Sequence, residues 1–347
     1  MSTAPRASTR RKRLRHASRS GLSLVGAGLL TALLLGACGT GGATSEVTTD
    51  DGRPLGTADA ANGKCESAER VGTFEVVLAD GYTTVQGQVA DGVDPSRVPV
   101  ELASEGGCRL VQPPRYQCEP RCDVGFTCGP DGACMPLPAN VGVGTVTVAG
   151  LSAAVQMTAG PPVYYYTMRG ELPHPAVEPG ATISLQADGA EAPGFSLQAK
   201  GIEPLSVAIE SVSVEAGSVS EVRWAPASVP GHSSIEISVH LSNHGGTPAW
   251  IACTTDDDGS FEVPADLVTR LLDLGYSGFP TVSVTRYTAD TADTETGCVE
   301  LLVRSTVELG VAIPGLISCN RDEDCPSGSI CRSDLTCEQT RPADDGG

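Results

Sequence analysis

Four cysteines near the C-terminal end have the most regular spacing of the reactive side chains in this sequence. The stretch CNRDEDCPSGSICRSDLTC runs from Cys319 to Cys337, with five residues in every gap. Cysteines can hold a metal, exchange electrons or form disulfides. Structural zinc sites use cysteine pairs two to four residues apart, because a tight turn aims both thiolates at one ion. This stretch has no such pair, so we expect disulfides, for which four cysteines allow three pairings.

A second group of four cysteines, CEPRCDVGFTCGPDGAC, runs from Cys118 to Cys134 with gaps of three, five and five residues. Four further cysteines stand outside the two groups. Cys65 and Cys108 flank a strand-rich unit, and we predict a Cys65–Cys108 disulfide across it. Cys253 and Cys298 lie in predicted strands of the second half, and we predict that a Cys253–Cys298 disulfide links two strands there.

The N-terminal sequence indicates the compartment in which these cysteines lie. Seven basic residues precede an apolar run of 14 residues, Leu22 to Leu35, which suits a secretory signal and is too short to span a bilayer. The run ends in Leu-Gly-Ala-Cys at Cys38, which resembles a bacterial lipobox. We predict a lipoprotein signal peptide at 1–37 and lipid attachment at Cys38. An ordinary signal peptide or an uncleaved anchor is the alternative. Export to an oxidising compartment favours disulfides for the other 12 cysteines.

Acidic residues at two places have spacings that would suit calcium. Asn320, Asp322 and Asp324 stand at alternate positions, as the first ligands of an oxygen-rich calcium loop do, but cysteines occupy the later Gly and Glu positions. Asp256 and Asp258 belong to the second place, TDDDG, where a hairpin turn is the simpler interpretation. We expect no cofactor and keep these five residues as calcium candidates.

Three consecutive tyrosines, Tyr164, Tyr165 and Tyr166, are candidates for ligand binding in a chain with few aromatic residues. In a strand, Tyr164 and Tyr166 would share one face and Tyr165 would take the other, so at least one ring would face solvent. Such a ring could stack on a sugar or a partner protein. Packing of two rings in the core is the alternative.

Motifs for catalysis are missing from the sequence, which has no G-x-S-x-G, H-E-x-x-H or phosphate-binding loop. The spacing of His240 and His244 does not bring their rings together in a strand that ends in a turn. We therefore expect no enzyme activity. A hydrolase, or an inhibitor of one, with a site assembled across strands is the alternative.

Alternating apolar and polar residues fill most of the chain between the cysteine groups. The stretch SSIEISVHLS, Ser233 to Ser242, is one of about a dozen such segments, and Gly, Pro and Asp clusters separate them. We expect an all-β fold of immunoglobulin-like β-sandwich domains with small disulfide-rich modules. The stretch PADLVTRLLDLG, Pro264 to Gly275, predicts one helix.

The same features predict the order of domains. The expected parts are a signal peptide (1–37), a flexible tether (38–64), a β unit with a cysteine-rich insert (65–137), a β-sandwich region (138–314, one large domain or two divided near 215), a cysteine-rich module (319–337) and a disordered tail (338–347). Removing the signal takes away seven of 23 basic residues and none of 42 acidic ones, which leaves a net charge of −26. Such an acidic chain argues against nucleic acid as a partner.

The cysteine groups and their surroundings resemble a known family. The pattern C-x5-C-x5-C-x5-C with an Asp-x-Asp-Cys-Pro-x-Gly core, together with GQVADG, GACMP and VGTVTVAGL, resembles surface lipoproteins of myxobacteria-type Gram-negative bacteria with Dickkopf-like cysteine-rich repeats. The first gap of three residues after Cys118 departs from the repeat. The resemblance implies first-to-third and second-to-fourth pairing in each group, that is Cys118–Cys128, Cys122–Cys134, Cys319–Cys331 and Cys325–Cys337.

The resemblance implies fold and location but no particular activity. Because residue 39 is Gly and not Asp, the inner-membrane retention signal of similar lipoproteins is missing, and we expect the outer membrane, on either its periplasmic or its surface side. We expect the protein to be a binding or structural module. Its partners would be the membrane, through the lipid anchor, and an unidentified envelope protein or glycan.

Overall fold

The computed structural model describes residues 63–242 and 248–339. The predicted signal peptide, the lipidation residue Cys38 and His244 lie outside these ranges. The described strands, in chain order, are β1 (Arg70–Ala79), β2 (Tyr82–Val89), β3 (Val100–Glu105), β4 (Cys108–Gln112), β5 (Phe126–Cys128), β6 (Cys134–Pro136), β7 (Val146–Ala149), β8 (Val155–Met157), β9 (Tyr166–Thr167), β10 (Thr182–Ala187), β11 (Phe195–Lys200), β12 (Ser211–Ser213), β13 (Ser220–Arg223), β14 (Ser234–His240), β15 (Trp250–Asp256), β16 (Ser260–Val263), β17 (Thr281–Thr294), β18 (Gly297–Ala312), β19 (Ser329–Cys331) and β20 (Cys337–Gln339).

A ten-stranded main sheet organises the molecule, with the order β3-β4-β15-β14-β17-β18-β1-β2-β9 and β12 paired with β18. Its centre is the long antiparallel pair β17–β18, which is in register from Thr281 opposite Gly310 to Thr294 opposite Gly297. β1 runs parallel to β18, and β4 is antiparallel to β15. The segment 65–137 therefore contributes strands to the same sheet as the segment 138–314, and the boundary expected near 137 does not separate two sheets.

Two apolar cores lie along one face of β17 and β18. The first core joins β1, β2 and β18 to a second sheet, β11-β10-β7-β8, and buries Phe74, Leu185 and Val303. The second core joins β4, β14, β15 and β17 to the pair β13–β16 and to a helix, and buries Ile237 and Leu267. The alternation of the sequence produces both cores, because every second residue of these strands faces inward.

The single helix described, α1, spans Ala265–Asp273, as the sequence predicts. It begins after Pro264 and buries Leu267, Val268 and Leu271, which lie on one side of a helix at this spacing. Together with the predominance of strand, this confirms the expected predominantly β chain with small cysteine-rich modules.

Six disulfides join the twelve cysteines of the described residues. Each cysteine-rich module contains a two-stranded sheet, β5–β6 or β19–β20. Its bonds follow the pairing that the resemblance implies: Cys118–Cys128, Cys122–Cys134, Cys319–Cys331 and Cys325–Cys337. Disulfides in this number indicate an extracytoplasmic protein.

The other two predicted disulfides, Cys65–Cys108 and Cys253–Cys298, are wrong. The structure joins Cys65 to Cys298 and Cys108 to Cys253. The reason is the strand pairing: β4 lies beside β15, so Cys108 is directly opposite Cys253, and the segment before β1 lies beside the start of β18. Both bonds connect the two halves of the chain, whereas the predicted ones would each have stayed within one half.

Two boundaries and one turn also differ from the sequence-based expectation. Lys64, assigned to the tether, forms an ion pair of 2.5 Å with Glu236 and lies over the Tyr287 ring. The first residues of the predicted tail, to Gln339, belong to β20. The turn TDDDG does not close a hairpin, because β15 belongs to the main sheet while β16 pairs with β13.

Candidate binding cleft

The outer face of β18, β1 and β2 carries two rows of polar side chains. The strand register sets Thr73 of β1 between Glu300 and Gln88, and Glu75 two residues later beside Gln86. The residues between these positions face the core, so the rows face away from it. This outward surface is therefore mainly polar on three adjacent strands, with the apolar Leu302 of β18 beside Glu75.

Gly87 lies between Gln86 and Gln88 in β2 and faces the core, where the Phe74 ring packs against it. A Cβ atom on Gly87 would lie 2.2 Å from the Phe74 ring, so this position has room for glycine alone. The close approach lets Phe74 fill the core below the sheet while Gln86 and Gln88 project on the other side.

A cleft of about 770 Å³ lies over this surface, a size typical of small-ligand sites. Residues 90–97 and 137–140 form its walls together with Tyr165. The walls are held by hydrogen bonds, since the Ala139 N–H donates to Asp91 Oδ1 at 2.8 Å and the Asp91 N–H donates to the Ala139 carbonyl at 3.0 Å. Asp94 accepts from Ser96 and pairs with Arg97 at 3.4 Å.

Glu300 is a fully buried carboxylate in the floor of the cleft. Its oxygens accept hydrogen bonds from the Cys65 N–H at 3.0 Å, the Thr73 hydroxyl at 3.0 Å and Arg70 Nη1 at 3.2 Å. The Arg70 side chain is 40% exposed. Burial of a charge is tolerated when it is paired and hydrogen-bonded, so Glu300 holds the N-terminal segment and Arg70 in place at the edge of the cleft.

A second chain of contacts runs through Glu75 and ends at an aromatic ring. Arg304 donates to both oxygens of Glu75, at 2.8 and 3.1 Å, and Gln86 Nε2 donates to Glu75 Oε2 at 3.3 Å. The Tyr165 hydroxyl donates to Gln86 Oε1 at 2.8 Å, while the residue remains 42% exposed. The hydrogen bond fixes the ring, and its exposure leaves it accessible to a ligand.

The other two tyrosines have different surroundings. β9 begins only at Tyr166, so Tyr164 does not share a strand face with it. Tyr166 is fully buried against Phe74, with ring centroids 5.7 Å apart, and burial raises its pKa. Tyr164 donates to Glu191, and this hydrogen bond raises the pKa of Tyr164. The expectation of one solvent-facing ring is confirmed at Tyr165.

The calcium candidates of the C-terminal module bind backbone groups. Asp322 Oδ1 accepts from the Cys331 N–H at 2.8 Å, and Asp324 Oδ2 accepts from the N–H groups of Asn320 at 2.9 Å and Arg321 at 3.3 Å. These bonds, the one from Asn320 first, hold the pKa of Asp324 below its usual range. Both carboxylates therefore order the backbone of the module.

Potential metal ligands come together only as cysteine sulfurs within the part of the chain that the structure describes. The two groups are Cys118, Cys122 and Cys134, and Cys319, Cys325 and Cys331. All six sulfurs are in disulfides, and a disulfide sulfur offers no thiolate. Asp256 and Asp258 belong to neither group.

The residue between Asp256 and Asp258, Asp257, forms the contacts that matter for the structure. Asp257 faces inward and forms a network with Arg286 of β17: Arg286 Nε lies 2.5 Å from Asp257 Oδ2, and Nη2 lies 3.1 Å from Oδ1. The Ser233 hydroxyl and Trp224 Nε1 also donate to Asp257, at 2.6 and 2.8 Å. Arg286 Nη2 donates to the Ala225 carbonyl at 2.6 Å. This pair could not be predicted from the sequence, since no local pattern sets Asp257 apart from its neighbours.

Opposing effects set the pKa of Asp257. Burial raises the pKa of this carboxyl, but the hydrogen bonds from Arg286, Ser233 and Trp224 and the charge of Arg286 outweigh burial, so the pKa lies below its ordinary value. The group is therefore held as a carboxylate that compensates the buried guanidinium.

Two of the three described histidines, His174 and His240, form contacts of a structural kind. His174 Nδ1 lies 3.1 Å from the Thr83 hydroxyl, whose oxygen also accepts the Ala176 N–H at 3.2 Å. His240 stacks on Trp250 with ring centroids 5.7 Å apart, and burial lowers the pKa of His240. Neither imidazole lies among the residues that line the cleft.

The cleft itself was not predicted, apart from Tyr165. Polar residues at alternate positions in FEVV and QGQ indicate an outward face for Glu75, Gln86 and Gln88. Their neighbour Glu300 follows more than 200 residues later in the chain, and only the parallel pairing of β1 with β18 brings it beside them.

Among the described residues, no helix has the length and apolar character needed to cross a membrane. In comparisons with known proteins, no family model matches this chain and no curated protein shows significant similarity to it.

Proposed function

We propose that this protein is a lipid-anchored module of the bacterial outer membrane that binds an envelope component in the cleft over β18, β1 and β2. The lipobox-like sequence before Cys38 supports the anchor, and the six disulfides support a place outside the cytoplasm. The cleft supports binding, because its polar side chains are already ordered by hydrogen bonds.

The observation that carries the binding proposal is the position of Tyr165. Its ring is 42% exposed at the cleft, and its hydroxyl is held by Gln86 at 2.8 Å. Aromatic side chains held in this way provide a large contact area at low cost in conformational entropy. We also propose that the fold is an immunoglobulin-like β-sandwich arrangement, which the two sheet-lined cores support.

Binding has more support than hydrolysis. In the described chain, the hydroxyl–imidazole pair Thr83–His174 lies outside the cleft, and the Thr83 oxygen is engaged with the Ala176 N–H. A catalytic nucleophile must be accessible to the substrate and must lie within hydrogen-bonding distance of the base that activates it.

The anchor is tested by metabolic labelling of the full chain with radioactive palmitate. The unaltered chain is expected to incorporate label, and Cys38→Ala is expected to abolish it. A culture treated with an inhibitor of lipoprotein signal peptidase serves as a control, because acylated precursor should then accumulate. Labelling that persists in Cys38→Ala would contradict the anchor.

Binding is tested with the mature chain made as a secreted protein with Cys38→Ser, incubated with washed envelope fragments. Retention on the fragments is expected to fall in Tyr165→Ala and to stay unchanged in Tyr276→Ala. Tyr276 is a matched control because it is 41% exposed and does not line the cleft. Equal retention of the two variants would count against the cleft as the binding site.

A further inference from the structure

We infer that the cleft takes an uncharged saccharide chain, an inference that rests on the proposed binding function and names its ligand class. The charges that line the cleft are balanced. The lining includes the carboxylates of Glu75, Asp94 and Glu300, and each is matched by an arginine. The pairs are Glu75–Arg304, Asp94–Arg97 and Glu300–Arg70. In a chain with a net charge of −19, this surface is locally balanced. It therefore has no surplus charge to select an anion or a cation.

The cleft also presents uncharged polar groups. Its surface includes the amides of Gln86, Gln88 and Asn140 and the hydroxyls of Ser67 and Thr73. An amide offers both donors and acceptors, and so does each hydroxyl of a sugar. Groups of this kind suit a neutral ligand that donates and accepts along its whole length.

Only part of this hydrogen-bonding capacity is used within the protein. Among the described residues, Gln86 uses one N–H toward Glu75 and one lone pair for the Tyr165 hydroxyl. A second N–H and a second lone pair remain for a ligand. Asn140 donates from its amide nitrogen to Gln88, at 3.3 Å, and to the Val163 carbonyl, at 2.8 Å, and these bonds hold the wall of the cleft.

Apolar surface lies beside these polar groups. A pyranose ring has C–H groups on its faces and hydroxyls at its edge. The exposed ring of Tyr165 can cover such a face, and its hydroxyl is tied to the amide that would meet the edge. Leu137 also lines the cleft and is 44% exposed, so it adds a second apolar contact.

A peptide is the less suitable occupant. Extended peptides bind by adding a strand to a sheet edge, where backbone groups are open. The floor of this cleft is the face of β18, β1 and β2, whose backbone groups are paired with one another along the strands. The floor therefore has no open sheet edge to which a peptide could add a strand, and most of its side chains are polar.

The inference is tested by calorimetric titration of the mature Cys38→Ser chain with tetrasaccharides. The neutral probes are tetramers of glucose, mannose and N-acetylglucosamine. Two charged probes match them in length: tetragalacturonate, which is anionic, and the tetramer of glucosamine, which is cationic. Binding of at least one neutral tetramer is expected, with Kd unchanged between low and physiological salt.

Variants tie the binding to the cleft. Tyr165→Ala is expected to raise the Kd for a neutral tetramer by about tenfold or more. Tyr165→Phe keeps the ring and should retain most of the affinity. Tyr276→Ala is the matched control and should not change Kd. Binding of charged tetramers alone, or equal affinity in Tyr165→Ala and the unaltered chain, would overturn the inference.

A second experiment with envelope fragments distinguishes failure of the saccharide inference from failure of the proposed binding function. Fragments are treated with periodate, which destroys vicinal diols of sugars, or with protease. Loss of Tyr165-dependent retention after periodate supports the saccharide. Loss after protease alone overturns the saccharide while the cleft remains a binding site, and no Tyr165-dependent retention on any fragment overturns both.

Discussion

Two arginine–carboxylate pairs lie on opposite faces of the main sheet and differ in what surrounds them. On the inner face, Arg286 and Asp257 have side chains that are 1% and 2% exposed. On the outer face, Glu300 is equally buried, but its partner Arg70 is 40% exposed. The inner pair is enclosed by Ser233, Trp224 and backbone carbonyls, whereas the outer pair opens into a cleft.

The difference shows how one type of interaction can serve structure or binding. The Arg286–Asp257 pair lies between the two apolar cores, where an unpaired charge would be costly, so the hydrogen bonds with Ser233, Trp224 and the Ala225 carbonyl act as compensation. The Arg70–Glu300 pair needs the same compensation only on the carboxylate side. Its guanidinium keeps contact with water, and a ligand can reach it without breaking the pair.

The largest effect is expected from removing one partner of the inner pair. Asp257→Ala removes the nearer opposite charge of the buried Arg286, which keeps only Glu203 at 3.8 Å, and should lower the free energy of unfolding by about 3–5 kcal/mol. Chemical denaturation measures this. Arg223→Ala, which removes a pair with Glu221 whose side chains are 65% and 43% exposed, should change it by less than about 1 kcal/mol. Similar losses in the two variants would contradict the comparison.

The disulfides that connect the two halves should rank next. Replacing both cysteines of Cys65–Cys298 or of Cys108–Cys253 by alanine should cost about 2–5 kcal/mol in either case. Only the first pair adjoins the cleft, because the Cys65 N–H donates to Glu300. Hydrogen exchange should therefore quicken near residue 65 in the Cys65–Cys298 variant and stay slow there in the other. Equal exchange rates near residue 65 in the two variants would contradict the claim that this disulfide stabilises the surroundings of the Arg70–Glu300 pair.

A smaller effect is expected at the outer pair. Glu300→Gln keeps the shape but removes the charge that compensates Arg70, and it places an amide where the Cys65 N–H and the Thr73 hydroxyl need acceptors. We expect a loss of about 1–3 kcal/mol in thermal or chemical unfolding. Glu75→Gln, at a partly exposed pair with Arg304, is the matched control and should lose less. A loss as large as that of Asp257→Ala would remove the contrast between the two faces.

The smallest effect concerns pH. Because the pKa of Asp257 is lowered from 3.8 on folding, its contribution to stability is fully present above 3.8 and is lost as pH falls through the lower pKa of the folded state. The difference in unfolding free energy between the unaltered chain and Asp257→Asn should therefore be constant from pH 7 to about 5. It should then shrink on further acidification. A difference that persists unchanged at the lowest pH where both chains fold would contradict the assigned shift.

Local elements could be predicted from the sequence because local periodicity determines them. The alternation in Ser233–Ser242 predicts a strand, which the structure bounds as Ser234–His240. The spacing of Leu267, Val268 and Leu271 similarly predicts α1. The disulfides of the modules could be assigned through their resemblance to a repeat.

Pairing between distant strands could not be predicted in the same way. Cys108 and Cys253 are 145 residues apart, and Cys65 and Cys298 are 233 apart. A strand's pattern shows which of its residues are buried but does not identify its neighbour in the sheet. The cleft depends on such neighbours, and so does the contact of Asp257 with Arg286, so both became visible only in the three-dimensional structure.

The Cys65–Cys298 bond also determines the route by which mechanical load would cross the molecule. If the chain is held at Cys38 while a ligand in the cleft is pulled away, tension arrives at Cys65 and passes through the sulfurs to Cys298. Glu300, in the floor of the cleft, is two residues further along β18. Load taken up by Glu300 would therefore reach the anchor through one covalent bond that bypasses the 232 residues between Cys65 and Cys298, whereas load taken up by Tyr165 would pass through the main sheet.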